Sequence, residues 1–396
     1  MEAGKLLHEY FNEHCETIHS SRLQAVMDVA EGLQKSQSLS LSAMGRNLSG
    51  TMDIKHKIKK VDRLESNEHL HGELGLLYKG LSNYIFQYIS QETHAPVIID
   101  LCYLKDNRKT QMLSAEVALK GRTLPLYREV FTSGELKGRA KHFISNLRKC
   151  LPADKHVLVI MDAGFGDDWF EAIEESDWYW LVRIRQGKNI KLSKDTEWLE
   201  TKDFLSTIES RARHYKEAFI MKRHDRACRL VTKKNKVKNT KENYKNQPGN
   251  YNAANGDYSR SAKEPWILAT NLPETFNTTQ ILSYYKKRMQ IEESFRDLKS
   301  HQFGIGARYA RTECIHRWGV KMLLGAIVQV IYWITGIIAH NQHYQKYFQA
   351  NTVKDKKIFS YFYLGRLMFE HDKVKELNIK YENIPEIIQV ELARIW

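Results

Sequence analysis

Apolar positions along the chain change their period several times, and each change marks a new kind of element. Over residues 1 to about 30 they recur at helical spacing, which predicts one helix with no breaker before Gly32. LSLSAMGRNLSG then reads as a short helix ended at Gly50, and DIKHKIKKVDRLESN as a second one with Asp53 at its N-cap. On this second helix Ile54, Ile58, Val61 and Leu64 are expected to face inward, with Lys55, Lys59, Lys60 and Arg63 outward. From Pro96 the runs become continuous. VIIDLCYL, MLSAEVALK and TLPLYREVF predict an antiparallel meander around Gly121. There follow a helix in GELKGRAKHFISNLRKCL, a strand in HVLVIMDAGF, a helix in DDWFEAIEESD and a strand in WYWLVRIR.

Residues 187 to about 262 break this pattern. Lys216 to Lys245 holds eleven Lys or Arg against three acids, so the segment reads as a basic insertion with short strands, AFIMKRH and ACRLVTKK, and a mobile loop. Order resumes at Glu264 with a strand in PWILATNLP, followed by ILSYYKKRMQIEESFRDLKSHQF, a helix without Pro or Gly. Met322 to Ala339 is eighteen residues with only Gln329 strongly polar. It is marginally long enough to span a bilayer but is expected to be the core helix of a large α/β domain. A helical tail rich in Lys, Tyr and Phe ends the chain.

Charge narrows the partners. A net charge of +14 and a pI near 9.3 point to a polyanion, and twenty Tyr with eight Trp favour nucleic acid over a membrane surface. Five scattered Cys without a CxxC pair predict a reduced, cytoplasmic protein, and MEAGKLLHEYFNEH lacks the apolar core of a signal peptide. His224 and Cys228 form one His-x3-Cys pair, with no second pair to complete a structural zinc site.

The candidate chemistry lies on the helix after PWILATNLP. At about 100° per residue, Tyr285, Arg288, Glu292 and Lys299 fall within an arc of roughly 60°, while Glu293 lies about 80° from Tyr285 on the other side. Tyr284, Ile291, Phe295 and Leu298 form an apolar stripe beside that arc. Asp100 and Asp162 each stand at or near the end of an apolar strand. Singly, such residues also suit turns, caps and surface ion pairs. Together, three carboxylates from separate elements suit a pair of hard divalent ions and an in-line displacement at phosphorus.

These residues carry a family resemblance. Tyr285, Arg288, Glu292 and Lys299 in YKKRMQIEESFRDLK, Asp100 in VIIDLCYL and Asp162 in VIMDAGF resemble the bacterial DDE insertion-sequence transposases marked by Tyr-x2-Arg-x3-Glu-x6-Lys, the group of transposons five and ten. GRTLPLY and PWILATNLP are also similar to that group. The resemblance implies an α/β, ribonuclease-H-like catalytic core (81–186 and 263–340) with a mostly β insertion (187–262). A helical N-terminal DNA-binding domain (1–80) and a helical C-terminal segment (341–396) suited to dimerisation complete it. Asp100, Asp162 and Glu292 would bind two Mg²⁺, with Mn²⁺ as a substitute. Tyr285, Arg288 and Lys299 would hold DNA phosphates, and Trp266 would stabilise a flipped base. The two short helices, the second of them basic, resemble a helix-turn-helix, although an ordinary bundle with a basic face fits them equally. The implied function is cut-and-paste transposition by a homodimer: binding double-stranded inverted-repeat ends, cleaving them through a hairpin and joining 3′ ends to target DNA. A ribonuclease-H-like endonuclease without joining is the alternative, and a non-enzymatic repressor using residues 40 to 65 a further one. The expected place is the bacterial cytoplasm, at the nucleoid and away from membranes.

Overall fold

The computed structural model describes residues 2–88, 94–119, 121–234, 264–353, 357–370 and 383–393. The stretch 235–263, where the sequence suggests a mobile basic loop, lies outside them, as does part of the tail. The chain forms two compact units, Met1–Val157 with Lys287–Trp396, and Leu158–Lys286.

The first unit opens with two helices rather than one, α1 (Glu2–His14) and α2 (Ser20–Ser36). The break lies at Cys15–His19, where the His19 ring accepts the Ser21 N–H at 3.3 Å and restarts the helix as its N-cap. Gly32 does not stop α2, which runs on to Ser36. Helices α3 (Leu41–Arg46) and α4 (Ile54–Glu65) follow and cross closely at Gly45, where a Cβ would stand 2.6 Å from the Ile58 Cα. Asp53 takes the N-cap position of α4 as expected, but its carboxylate makes no capping hydrogen bond. One inward assignment fails: Val61 and Leu64 are buried, whereas Ile54 is 57% exposed.

After α5 (Glu68–Phe86) come β1 (Ala95–Tyr103), β2 (Thr110–Ala118) and β3 (Thr123–Thr132), paired antiparallel in the expected meander. Every residue of β2 is buried, as a central strand covered on both faces requires. Asp100 is not at a strand end. It lies within β1, opposite Ser114 of β2. Helix α6 (Ala140–Cys150) follows.

Two strands with a helix between them are expected in the second unit, and the structure supplies them: β4 (Val157–Met161), α7 (Asp167–Glu174) and β5 (Tyr179–Ile184), with β4 and β5 parallel. The basic segment contributes β6 (Asn189–Lys191), β7 (Leu199–Glu200), α8 (Thr201–Thr207), β8 (Arg213–Ile220) and β9 (Arg226–Lys233). β10 (Trp266–Thr270) pairs antiparallel with β5 on one side and β9 on the other, so the strands of this segment extend the sheet of β5. Helix α9 (Thr278–Lys286) ends the unit.

The helix expected to run unbroken from here does not. A 3₁₀ turn at Lys287–Met289 separates α9 from α10 (Gln290–Lys299), and the chain returns to the first unit at that turn. Each 3₁₀ residue advances about 120° instead of 100°, so the turn shifts the phase of the helix by roughly 60°. The single-arc geometry derived for a continuous helix therefore does not hold. Tyr285 is buried and Tyr284 only half-buried, the reverse of the expected order, while Ile291, Phe295 and Leu298 are buried as predicted.

Helix α11 (Ile315–Asn341) forms the centre of the first unit, packed against α2, α5, β3 and α12 (Tyr361–Glu370). Among the described residues it is the helix long and apolar enough to cross a membrane, and its most apolar window is wholly buried. It is a core helix. Gln329, the polar exception in its apolar run, accepts a 2.7 Å hydrogen bond from the Arg128 guanidinium, which is also 2.7 Å from Glu116 and 3.1 Å from the Ser114 hydroxyl. Arg128 and Glu116 have no side-chain exposure, so this network pairs two charges that the core could not otherwise hold. Between α11 and α12 the backbones nearly touch: a Cβ on Gly336 would come within 1.8 Å of the Tyr361 carbonyl oxygen. A further helix, α13 (Ile384–Ala393), lies near the end of the chain.

Candidate carboxylate site and DNA-facing surface

Three segments of the first unit meet at Arg288. The residue is in the 3₁₀ turn, buried, and its guanidinium reaches two carboxylates: Nη1 lies 3.3 Å from Asp100 Oδ2, and Nη2 lies 2.8 Å from Glu292 Oε1. The other Asp100 oxygen accepts the Leu101 N–H at 2.8 Å. One cation thus holds together acids that are 192 residues apart in the sequence, Asp100 and Glu292. The i,i+4 pairing of Arg288 with Glu292 is what the sequence predicts, but the reach to Asp100 is not, because it depends on β1 passing beside the turn. Glu293 takes no part in this group. It pairs with Arg296 and lies 3.7 Å from Arg122. Lys299, at the end of α10, points its ammonium at the Tyr103 carbonyl oxygen, 3.4 Å away, at the end of β1.

Asp162 belongs to the second unit and directly follows β4, as a strand-end acid should. Arg185, just past β5, places Nη2 3.1 Å from one of its oxygens and 3.4 Å from the other. In the same unit Trp266 opens β10 half-buried, and its ring meets the buried Tyr285 ring edge-on at 5.1 Å. Tyr285 is thus engaged by Trp266 rather than displayed on the Arg288 side of a single helix edge.

The donor chemistry of Asp100, Glu292 and Asp162 suits a hard divalent cation. All three offer partly exposed carboxylate oxygens, and each is already drawn to an arginine in its own unit. A different group, Asp167, Glu171 and His224, brings its ligand atoms within 4.8 Å of one another. Arg226 offsets part of its charge, contacting Asp167, Glu174 at 2.6 Å and Glu171 at 3.8 Å, so it reads as an ionic tie between α7 and β9.

Sequence reasoning missed the residue that braces α10. Arg122, in the GRTLPLY segment, donates through Nε to Asp297 at 2.5 Å, and the neighbouring Thr123 N–H donates to Ser294 Oγ at 3.0 Å. GRTLPLY was legible as a family segment, but nothing in its spacing announced that it clamps a helix 171 residues on. Burial pushes the Asp297 carboxyl up to about 6, with Arg122 opposing the shift. A carboxyl raised in the folded state holds a proton there that the unfolded chain releases, so its contribution to stability falls as pH rises from about 4 to about 6. Comparing wild type with Asp297→Asn by chemical denaturation, the stability difference is expected to drop by on the order of 2–3 kcal/mol across that window and to level off above it. A pH-independent difference would contradict the burial of an ionisable Asp297.

Of the basic residues chosen on α4, Lys55, Lys59 and Arg63 are exposed. Lys60 is not available in the same way, because it bonds to Asp28 of α2 at 2.5 Å. A groove of about 480 Å³ between α2 and α4 is lined by His56, Lys59, Lys60 and Arg63, together with Arg22 and Met52.

The fold and these residues define a mixed α/β protein with paired carboxylates and a basic helical face. The family profile described as Transposase DDE domain matches residues 102–315, more than half of the 396-residue chain. The chain belongs to this family, the endonucleases that cut and recombine DNA in transposition. The match contains Asp162, Tyr285, Arg288, Glu292 and Lys299 and begins two residues after Asp100. No curated protein matches the chain.

Proposed function

We propose that this transposase acts by cut-and-paste, with Asp100, Asp162 and Glu292 as its catalytic acids. The observation that carries the reading is the Arg288 guanidinium joining Asp100 to Glu292, since it singles out the two acids of the first unit that the family signature requires. In chain order the first unit's meander, then strand, helix and parallel strand, fit a ribonuclease-H-like core (81–186 and 263–340) interrupted by the insertion 187–262. The N-terminal helices 1–80 serve as the end-binding domain, and the segment from 341 contributes to a homodimer that pairs two ends.

Two Mg²⁺ ions held by the three acids would activate the attacking oxygen and stabilise the leaving oxygen of an in-line displacement. The remaining residues position DNA. Arg288 and Lys299 bind phosphates beside the cleaved bond, with Arg288 exchanging a carboxylate partner for a phosphate, a geometry its planar fork accommodates. Trp266 offers a face on which an unstacked base at the element end can rest, and Tyr285 supports that ring from its edge. Cleavage, hairpin formation, hairpin opening and joining are the same displacement, so one set of acids serves all of them. The test is a labelled duplex carrying the element end and its flank. With Mg²⁺ a hairpin-ended product is expected, and none in EDTA. Cleavage that persists in EDTA would refute the role given to the acids.

A further inference from the structure

We propose that Ile54, the first residue of α4, and Met52, two residues before it, read thymine 5-methyl groups in the major groove of the element end. The inference rests on α4 being the DNA-reading helix and adds what that helix recognises. Its core side is completed by Val61 and Leu64, which are buried, so Ile54 is not needed there. Ile54 is 57% exposed and Met52 46%, an unfavourable placement for two large apolar side chains separated by one residue. Single exposed apolar residues need no explanation, but these two stand within a cationic field. Lys55, His56, Lys59 and Arg63 are exposed on the same helix, and the nearby acid Asp53 lies 3.9 Å from Lys55. An anionic polymer is the occupant this charge selects.

Position on the helix narrows the contact further. α3 and α4 approach closely at Gly45 and Ile58, and α4 is the second helix of the pair. In helix-turn-helix docking the N-terminal residues of the second helix meet base edges, while flanking cations hold the phosphates. In the major groove the apolar feature of a base edge is the thymine methyl. Ile54 and Met52 occupy the base-reading end, whereas Lys59 and Arg63 occupy the following turns.

The test begins with the duplex that full-length wild-type protein selects from a random pool, remade with deoxyuridine replacing each thymine in turn. Deoxyuridine keeps the hydrogen-bonding edge and lacks only the methyl. At one or more positions the wild type is expected to lose about fourfold in affinity, the worth of one buried methyl-sized group. The Ile54→Ala, Met52→Ala double variant should bind the thymine and uridine duplexes equally. A wild type indifferent to every replacement, or a double variant with the same thymine preference, overturns the inference. Lys59→Ala with Arg63→Ala separates the two levels of the argument. It should weaken both duplexes alike and flatten the salt dependence. If it changes neither, α4 is not the DNA-reading helix and the underlying reading fails instead.

Discussion

Replacing Asp100, Asp162 or Glu292 by alanine is expected to reduce cleavage of an element end by at least roughly a thousandfold, while binding of the uncut end stays within a few-fold of wild type. Each acid would supply donors to the ions that carry the displacement, and a shortfall of about 4 kcal/mol in the transition state produces that loss. Asp100 and Glu292 face an additional consequence. Removing either leaves Arg288, a buried cation, with one carboxylate fewer around it. Asp100→Asn and Glu292→Gln keep the shape and a hydrogen-bonding oxygen, so they separate lost chemistry from lost packing. Single-turnover cleavage and gel-shift binding read the two quantities independently. Near-normal cleavage by any one of the three alanine variants would remove that residue from the catalytic set.

Lys321→Met is expected to destabilise the protein by about 3–5 kcal/mol, whereas the double variant Glu65→Leu with Lys321→Met should return to within about 2 kcal/mol of wild type. Glu65 and Lys321 are 0% and 1% exposed, and they bond directly to each other. Lys321 Nζ also donates to the Leu39 carbonyl oxygen at 3.0 Å, and Arg317 lies 3.9 Å from the second Glu65 oxygen. Burial pushes the Glu65 carboxyl above its ordinary range and the Lys321 amine below its own, the direction expected when desolvation outweighs mutual attraction. Breaking the pair strands a buried charge, while replacing both removes the penalty along with the bond. The pair joins the end of α4 to α11, so the single variant should also loosen the basic helix. Denaturant midpoints measure the energies. A cost below about 1 kcal/mol for Lys321→Met would show that the site is wetter than its burial indicates.

Much of this architecture could be read from periodicity. The meander, the strand–helix–strand that follows and the apolar core helix each have a period set by their own side chains. What escaped the sequence depends on distant partners. Asp100 looked like the end of a strand because a carboxylate interrupts an apolar run, yet β1 continues through it with Arg288 as its partner. The signature helix looked continuous because a 3₁₀ turn carries no compositional mark. Ile54 matched the inward stripe of α4 by spacing, but the core reaches only the later turns of that helix. Glu292 was set apart from Glu293 by its angle on an unbroken helix, and the 3₁₀ turn removes that ground; in the structure Glu292 meets Arg288 and Glu293 meets Arg296.

Strand joining is the most direct test of cut-and-paste transposition. Purified protein is incubated with Mg²⁺, a duplex end labelled at its 3′ strand and a supercoiled target plasmid, and the label is followed into the plasmid. The account predicts labelled plasmid in which the element's 3′ end is covalently attached, and none with Asp162→Ala. Efficient cleavage of the end with no label entering the plasmid would contradict it and leave a ribonuclease-H-like endonuclease in its place.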